Sequence, residues 1–419
     1  MKRRFLQFVL FFGALAALLI PLHLLTFGQP APDPRVSWLI SERPLYRHES
    51  VDGRAWAVPS PHVIFVDKEN RKKFPEEKAP GTYRIFCIGQ STTEGYPFYP
   101  RAGYPEWLGR LLKDALPNRR VQVINAGVSG SDSARDLDIV REILAYHPDM
   151  LVLYEGNNEQ LYGRLRLIQN QMGNRFGRIL FWLRGYFPII RLAAACLPEP
   201  PPKPAALMPL YERNVREMIG LAASRSIRVV FLGQINAQIL ANPNSPPPYN
   251  RFLRAQNSRN VAFIDTRRFF KNSGECRRFV PECLIDYVHP SLRGQWLIAR
   301  ALAHGLYKRG WIAPPRQWRW TRVRSEGVYS EALGVTKDFL AEAFVREAEG
   351  LGDDSGKLGD LSYYISAGER LEKGVFLRVL ADQSGRFSRP TLKKAVLDYY
   401  DRAYPEKARE LREIILRSF

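Results

Sequence analysis

A serine, an aspartate and a histidine of this sequence stand in contexts that suit nucleophilic catalysis. Ser91 lies in the segment GQSTTEG (89–95), and Asp286 precedes His289 by three residues in the segment DYVHP (286–290). A carboxylate can orient a histidine ring, and that ring can then remove the proton of a serine hydroxyl. Small residues around Ser91 allow the backbone to turn sharply and expose the hydroxyl. These residue types predict covalent catalysis at Ser91, with His289 as the base and Asp286 as its orienting acid.

Two further loops carry groups that could stabilise the oxyanion of such a reaction. Gly127 lies in the segment NAGVSG (125–130), and Asn157 lies in the segment EGNNE (155–159). The backbone amide of Gly127 and the side-chain amide of Asn157 are the kinds of donor that a tetrahedral oxyanion requires. Seen singly, Gly127 could be a turn glycine and Asn157 a helix cap. Their positions after successive predicted strands favour the functional interpretation.

The elements that must position these loops follow from the spacing of apolar residues. Short apolar runs predict five strands, at 83–88, 121–124, 150–154, 227–232 and 261–265. Helical patterns alternate with them at 104–116, 133–146, 210–224 and 292–308. This alternation predicts a mostly parallel sheet with helices on both faces, in a three-layer α/β domain at 81–310. Because the carboxyl ends of parallel strands meet at one edge, Ser91 and both donor loops should lie there.

The four segments together resemble the sequence blocks of the SGNH hydrolases, a branch of the GDSL-like lipases and acylhydrolases. The resemblance covers about residues 81–308, in the family's order. It implies a flavodoxin-like α/β/α fold of the SGNH type. It also implies a triad of Ser91, Asp286 and His289. The implied oxyanion donors are the backbone amides of Ser91 and Gly127 and the side chain of Asn157.

Three residues depart from the family's pattern. Gln90 stands where the motif usually has aspartate, and Asn158 and Glu159 replace the usual aspartate after the oxyanion asparagine. These positions perform no chemistry in the family, but they change the hydrogen bonding that holds the loops. The segments 78–86 and 156–159 are similar to a bacterial exported subgroup.

The resemblance implies an esterase or acylhydrolase that needs no cofactor. The chain has 6 histidines, and they are not clustered with the further histidine or cysteine that a metal site requires, so no metal is predicted. The expected partner is an ester-bearing small molecule, or an O-acyl group of an envelope glycan or lipid. Two alternatives stay open. One is acyl transfer to an extracytoplasmic polysaccharide, and the other is a non-catalytic carbohydrate-binding protein of the same fold.

The N-terminus predicts a membrane anchor. Basic residues at 2–4 precede an apolar stretch at 5–27, which is long enough to cross a bilayer. A cleaved signal peptide is the alternative, although its apolar region is usually shorter. Because the basic cluster stays in the cytoplasm, we expect a single-pass protein of the cell membrane with a periplasmic catalytic domain. Residues 1–28 are assigned to the anchor and residues 29–80 to a stalk and lead-in.

The cysteines of an exported chain face an oxidising compartment. Cys276 and Cys283 are close enough in sequence to close a small loop ahead of Asp286, and we predict a disulfide between them. Two unrelated thiols are the alternative, because spacing alone does not test disulfide geometry. Cys87 lies in a predicted strand, which favours a core residue.

Two segments fall outside the alternation of strands and helices. Residues 165–209 are predicted to be an insertion with aromatic, Arg-bearing helices that either cap the cleft or lie at the membrane interface. Residues 311–419 are predicted to be a charged C-terminal helical region. The net charge of +20 is scattered and no nucleic-acid-binding motif accompanies it, so nucleic acid is not an expected partner. The sequence leaves the oligomeric state open.

Overall fold

The structure, a computed structural model, describes residues 44–60, 73–159, 204–236, 239–240, 247–272, 283–285, 288–336, 339–340 and 343. The predicted anchor (1–28), most of the predicted insertion (165–209) and the C-terminal region beyond 343 lie outside these residues. Within the described ranges, no helix is both long and apolar enough to span a bilayer. The membrane anchor therefore stays a prediction.

The first described part of the chain forms a small antiparallel sheet. Its strands are β1 (Tyr46–Val51), β2 (Arg54–Pro59) and β3 (Phe74–Pro75), in the order β1-β2-β3. The sequence analysis placed a stalk and lead-in here and assigned no strand to it. The turn between β1 and β2 is Asp52-Gly53, with φ of 49° and 71°. Positive φ at both positions is what a two-residue hairpin turn requires.

A five-stranded parallel sheet forms the middle layer of the fold. Its strands are β4 (Tyr83–Gly89), β5 (Val121–Gly127), β6 (Met150–Tyr154), β7 (Arg228–Leu232) and β8 (Val261–Ile264). They lie in the order β5-β4-β6-β7-β8, and every adjacent pair is parallel. The strands read as apolar runs because both faces of the sheet are covered. This confirms the predicted α/β fold with five parallel strands.

Helices cover both faces of that sheet. They are α1 (Ser91–Glu94), α2 (Tyr104–Ala115), α3 (Ser133–Ile143), α4 (Pro204–Ala223), α5 (Pro248–Ala255), α6 (Arg267–Asn272) and α7 (Leu292–Arg309). Successive side chains of a strand point to opposite faces, so Cys87 joins the core under α2 and α7 whereas Ile88 joins the core under α3 and α4. Trp107 of α2 and Trp296 of α7 meet with ring centroids 5.4 Å apart. The layers are therefore helix, sheet and helix.

Arg84 joins the small sheet to the parallel sheet. This residue of β4 is 1% exposed. Its guanidinium donates hydrogen bonds to the Gln122 side chain and to the backbone carbonyl oxygens of Pro75, Glu76, Glu77 and Tyr146. Because a guanidinium carries five N–H donors in one plane, a single arginine can bind the end of β3 and the turn before β6 at once.

The chain after α7 returns to the face formed by α2 and α7. Trp318 is buried and stacks on Trp320, with ring centroids 5.3 Å apart. A further helix, α8 (Glu326–Ala332), buries Tyr329 against Trp296 at 5.6 Å. The Tyr329 hydroxyl donates to Oδ2 of Asp114 in the last turn of α2 at 2.9 Å. These contacts attach the described residues after α7 to the core of the parallel sheet.

Candidate active site

Ser91 lies at the carboxyl end of β4, where the chain turns into α1. The N–H of Gly95, which has φ of 101°, donates to the Ser91 carbonyl oxygen at 2.9 Å and closes a single helical turn. Gly89 precedes the turn with φ of 146°, and a Cβ there would stand 2.2 Å from the Tyr154 carbonyl oxygen. Position 89, at the end of β4, therefore requires glycine. The turn leaves Ser91 half-buried at the edge of the sheet.

His289 reaches Ser91 from the start of α7. Its Nε2 lies 2.8 Å from Oγ of Ser91, although the two residues are 198 positions apart. The Ile285 N–H donates to the His289 carbonyl oxygen at 2.9 Å. Ser291 then caps α7, its Oγ accepting from the Gly294 N–H at 3.1 Å. A capped helix and a backbone hydrogen bond thus fix the main chain on both sides of the histidine.

Tyr96 packs beside the histidine ring. The ring centroids of Tyr96 and His289 are 4.8 Å apart, with 52° between their planes. The Tyr96 N–H donates to the Ser91 carbonyl oxygen at 2.9 Å. The turn that carries Ser91 therefore also places the Tyr96 ring against His289.

Asp286 lies outside the described residues, so the acid of the predicted triad stays a prediction. Cys283, just before it, is disulfide-bonded. Cys276 also lies outside the described residues, and its pairing with Cys283 stays a prediction. Cys87 is buried and free in β4, as the sequence analysis expected.

Gly127 is buried at the end of β5, and its amide has a partner within its own strand. The Gly127 N–H donates to Oδ1 of Asn125 at 3.0 Å. A Cβ on Gly127 would stand 2.3 Å from the backbone nitrogen of Glu94. The structure thus shows a close approach between β5 and α1 at this glycine, and the predicted role of its amide as an oxyanion donor stays a prediction. Gly130 of the same loop is half-exposed and has φ of 80°.

Asn157 and Asn158 follow β6 at the same edge of the sheet. Asn157 is half-buried. The Asn158 N–H donates to Oε1 of Gln90 at 3.1 Å, and its Nδ2 donates to the Ser131 carbonyl oxygen at 3.0 Å. These bonds join the loops after β4, β5 and β6. Two residues that depart from the family's pattern, Gln90 and Asn158, therefore bind each other.

Glu94 and Asn125 join the first two loops beneath the edge of the sheet. Glu94 is 1% exposed, and its Oε2 accepts from the Ser129 N–H at 2.9 Å and from the Ser129 hydroxyl at 2.5 Å. Asn125 Nδ2 donates to the Glu94 carbonyl oxygen at 3.3 Å and to Oε1 of Glu106 at 2.9 Å. The sequence analysis assigned no role to either residue. The signal available was a carboxylate inside the serine-bearing segment 89–95, flanked by small residues.

Sequence comparison supplies the family. The model of the GDSL-like Lipase/Acylhydrolase family matches residues 87–297, which include Ser91, both donor loops and His289. The chain belongs to this family. The protein is therefore a GDSL-like hydrolase that acts on ester bonds. Comparison with curated proteins gives no match.

Solved structures also resemble this GDSL-like hydrolase. One is a catalytic mutant of Axe2, an acetylxylan esterase from Geobacillus stearothermophilus, at 22% identity and a TM-score of 0.35. That match covers 58% of this chain and 97% of the esterase. Another is LAE5, an alpha/beta hydrolase enzyme from the metagenome of Lake Arreo, Spain, at 18% identity and a TM-score of 0.38. It covers 57% of this chain and 99% of LAE5.

Buried carboxyl groups lie behind the donor loops of this GDSL-like hydrolase. Asp132, Asp136, Glu155 and Glu159 are each at most 2% exposed. Burial raises the pKa of Glu155 well above its ordinary value, and the nearby charges of Asp136, Glu159 and Asp132 raise it further. Burial also raises the pKa of Asp136. Across the described part of the chain, no group of three or more His, Cys, Asp or Glu side chains is arranged to hold a metal ion.

Proposed function

We propose that Ser91 is the nucleophile and His289 the general base of a serine esterase or acylhydrolase. The observation that carries this proposal is the 2.8 Å contact between Oγ of Ser91 and Nε2 of His289. This separation allows direct proton transfer between the two atoms. Ser91 also lies at the edge of a parallel sheet where such folds bind ligands. Asp286 is proposed to orient the histidine through the other ring nitrogen.

In the proposed reaction, His289 Nε2 takes the proton of Ser91 as Oγ bonds to the carbonyl carbon of the ester. The electron pair of the carbonyl moves onto its oxygen and forms a tetrahedral oxyanion. When the ester C–O bond breaks, His289 gives the proton to the departing alcohol oxygen and the acyl group stays on Ser91. Water attacks in the second half of the reaction, His289 again takes and returns a proton, and the free acid leaves.

Three donors are proposed for the oxyanion: the Ser91 amide, the Asn157 side chain and one amide of the loop after β5. Within that loop we propose Gly130 in place of Gly127. The Gly127 N–H already donates to Oδ1 of Asn125, whereas Gly130 is half-exposed and follows on the same loop. A donor must point to where the negative charge develops, and a buried, already bonded amide cannot do so without losing its acceptor.

The substrate that we propose is an O-acyl ester of an envelope glycan or lipid, met outside the cytoplasm by a membrane-anchored enzyme. The support is the N-terminal sequence, where basic residues at 2–4 precede an apolar stretch at 5–27. Hydrolysis and transfer share the acyl-enzyme and differ only in the acceptor. Products formed from an acetylated glycan, with and without a second glycan as acceptor, distinguish them: free acetate indicates hydrolysis, and acetylated acceptor indicates transfer.

The proposal is tested with the Ser91→Ala variant of the full chain. We expect this variant to lose labelling by a fluorophosphonate and to hydrolyse p-nitrophenyl acetate at least about a thousandfold more slowly. Ser224→Ala is the matched control, because Ser224 is exposed at the end of α4 and donates to a backbone carbonyl there. The control should keep both activities. Labelling that persists in Ser91→Ala would place the nucleophile elsewhere.

A further inference from the structure

A cavity of about 510 Å³ lies between the end of β8, α6 and the last turns of α7. We call it the basic cavity and define it by six of its lining residues: Arg254, Asp265, Arg268, His304, Lys308 and Arg309. Four of these six carry a permanent positive charge and one carries a carboxylate. The mechanism proposed above uses none of them.

The carboxylate of the basic cavity is already neutralised. Oδ2 of Asp265 lies 2.6 Å from Nη2 of Arg254 and 2.8 Å from Nη2 of Arg267. Burial alone would raise the pKa of Asp265, but the hydrogen bond from Arg267 and the nearby arginine charges lower it overall. Asp265 is therefore ionised and paired. The cations left over in the cavity are Arg268, Lys308 and Arg309.

An aromatic wall borders these cations. The half-buried ring of His304 stacks on Trp320, with centroids 4.4 Å apart and 9° between the planes. Phe269 contacts the same ring at a centroid distance of 5.7 Å. Burial lowers the pKa of His304, and the charges of Arg300 and Lys308 lower it further. The lowered pKa favours the neutral form of His304, so the positive charge of the cavity comes from its arginine and lysine side chains.

Two of the guanidinium groups lie over aromatic rings. Arg254 lies over Phe263 at 5.2 Å, and Arg309 lies over Trp311 at 5.1 Å. Arg309 also donates to Oδ1 of Asn257 at 3.3 Å. A guanidinium that stacks on a ring keeps its N–H edge free to bind anionic oxygens, and less side-chain entropy is lost when it does so.

The basic cavity is separate from the candidate active site. β8 is the third strand from β4 in the sheet, which corresponds to about 14 Å at the usual strand spacing. His289 stands just before α7, whereas His304 and Lys308 lie in its last two turns. The 12 residues from Leu292 to His304 correspond to about 18 Å of helix. A ligand in the cavity would therefore not occupy the site of the ester.

We propose that the basic cavity binds a phosphate ester through Arg268, Lys308 and Arg309. A carboxylate would offer two oxygens and one charge to three cations, whereas a phosphate monoester offers three oxygens and up to two charges. Bidentate pairing of arginine with phosphate suits the flat, preoriented guanidinium of Arg309. The phosphate comes either from a lipid headgroup or from a soluble molecule, and the experiment below separates these sources.

The test follows the acetylation rate of Lys308 in the full chain, kept in a neutral detergent at fixed salt. Mass spectrometry compares Lys308 with Lys113, which is exposed on α2. Inorganic pyrophosphate is the soluble probe and dihexanoylphosphatidic acid, a phosphate monoester, is the lipid probe, with uncharged dihexanoylglycerol as its control. We expect one or both phosphate probes to slow acetylation of Lys308 at least fivefold and to leave Lys113 unchanged. Protection by the lipid probe alone would assign a headgroup.

The variant Arg268→Gln/Arg309→Gln should lower the affinity for the protecting probe at least tenfold. Arg213→Gln/Arg216→Gln is the matched control, because it removes the same charge from exposed positions of α4 on the opposite face of the sheet. Thermal melting followed by circular dichroism shows whether each variant is folded. If the double variant does not fold, Arg268→Gln alone is used in its place. Equal protection of Lys308 and Lys113, absence of protection at Lys308, or protection unchanged in the cavity variant would overturn the proposal.

Discussion

Gly127 shows how closely the residues beneath the site fit together. Its Cα faces the backbone of α1 so directly that an added methyl group would stand 2.3 Å from the nitrogen of Glu94. The obstacle is backbone, which cannot swing aside as the end of a long side chain can. The glycine therefore sets the distance between β5 and the turn that carries Ser91.

We expect Gly127→Ala to destabilise the protein by about 3 kcal/mol and to reduce ester hydrolysis at least tenfold, because the turn at Ser91 must move. Thermal unfolding and p-nitrophenyl acetate turnover measure the two effects. Gly220→Ala is the control: this glycine lies within α4 and has nothing within 4 Å of an added Cβ. Alanine there should raise stability by about 0.5–1 kcal/mol. A stable and fully active Gly127→Ala enzyme would contradict the fit described here.

Glu155 gives a residue-scale prediction about pH. Its folded-state pKa is raised by burial and by neighbouring carboxyl groups, so the folded chain holds this proton more tightly than the unfolded chain does. Stability from this group is complete below the ordinary pKa of 4.5 and is lost as the pH rises through the folded pKa. Glutamine at this position has no proton to lose.

The unfolding temperature of Glu155→Gln should therefore fall less between pH 6 and pH 9 than that of the unaltered protein. The difference expected is a few degrees, measured by circular dichroism at constant ionic strength. Glu77→Gln, at an exposed position, should reproduce the pH dependence of the unaltered protein. Parallel curves for Glu155→Gln and the unaltered protein would show that Glu155 does not carry this dependence.

Among the elements, the loops after β4, β5 and β6 act as one unit. Asn158 binds Gln90 through its backbone N–H and binds the Ser131 carbonyl oxygen through its side chain. The Asn158 side chain is the donor, because the Ser131 carbonyl oxygen can only accept a hydrogen bond. An aspartate at position 158 would place a carboxylate oxygen, which carries no hydrogen, against that carbonyl oxygen.

We expect Asn158→Asp to lower kcat/KM for ester hydrolysis about tenfold, which corresponds to about 1.4 kcal/mol and to the loss of one partly buried hydrogen bond. Asn158→Ala should lose less, because it removes the donor and introduces no repulsive charge. Steady-state kinetics on both variants test this order. An Asn158→Ala enzyme as active as the unaltered protein would show that the Ser131 contact does not hold the loops.

The sequence predicted the elements whose patterns are local. Five strands and the loops that follow them were assigned correctly because strand and helix periods differ and parallel strands end at one edge. The small sheet was missed, although Asp52-Gly53 is a hairpin signal, because few apolar residues alternate around it. The partner of the Gly127 amide could not be predicted, since it depends on where the Asn125 side chain turns after folding.

For the molecule as a whole, Arg84 decides how the small sheet is attached. Its guanidinium donates to four backbone carbonyl oxygens and one side chain, and it is almost completely buried. The four carbonyl oxygens would lose this donor if the guanidinium were removed, and the hydrogen bond to the Tyr146 carbonyl oxygen is buried. A buried acceptor without a donor is costly.

Arg84→Met should lower the free energy of unfolding by about 3 kcal/mol, measured by urea titration. Arg84→Lys should recover only part of this loss, because an ammonium group cannot reach partners on both sides of a planar fork. Arg225→Met is the control: Arg225 is exposed and donates to one carbonyl oxygen, that of Leu144. An equal loss of unfolding free energy in Arg84→Met and Arg225→Met would mean that the hydrogen bonds of Arg84 do not attach the small sheet more strongly than an exposed arginine would.

Gln90 and Asn158 meet as two amides, and an amide neither gains nor loses a proton in water of ordinary acidity. A carboxylate at position 90 would be protonated at low pH, and its hydrogen bond from the Asn158 N–H would weaken. Because Gln90 does not titrate, the hydrogen bond between the first and third loops keeps its strength in acid. At this contact, the shape of the cleft does not depend on a side chain that titrates.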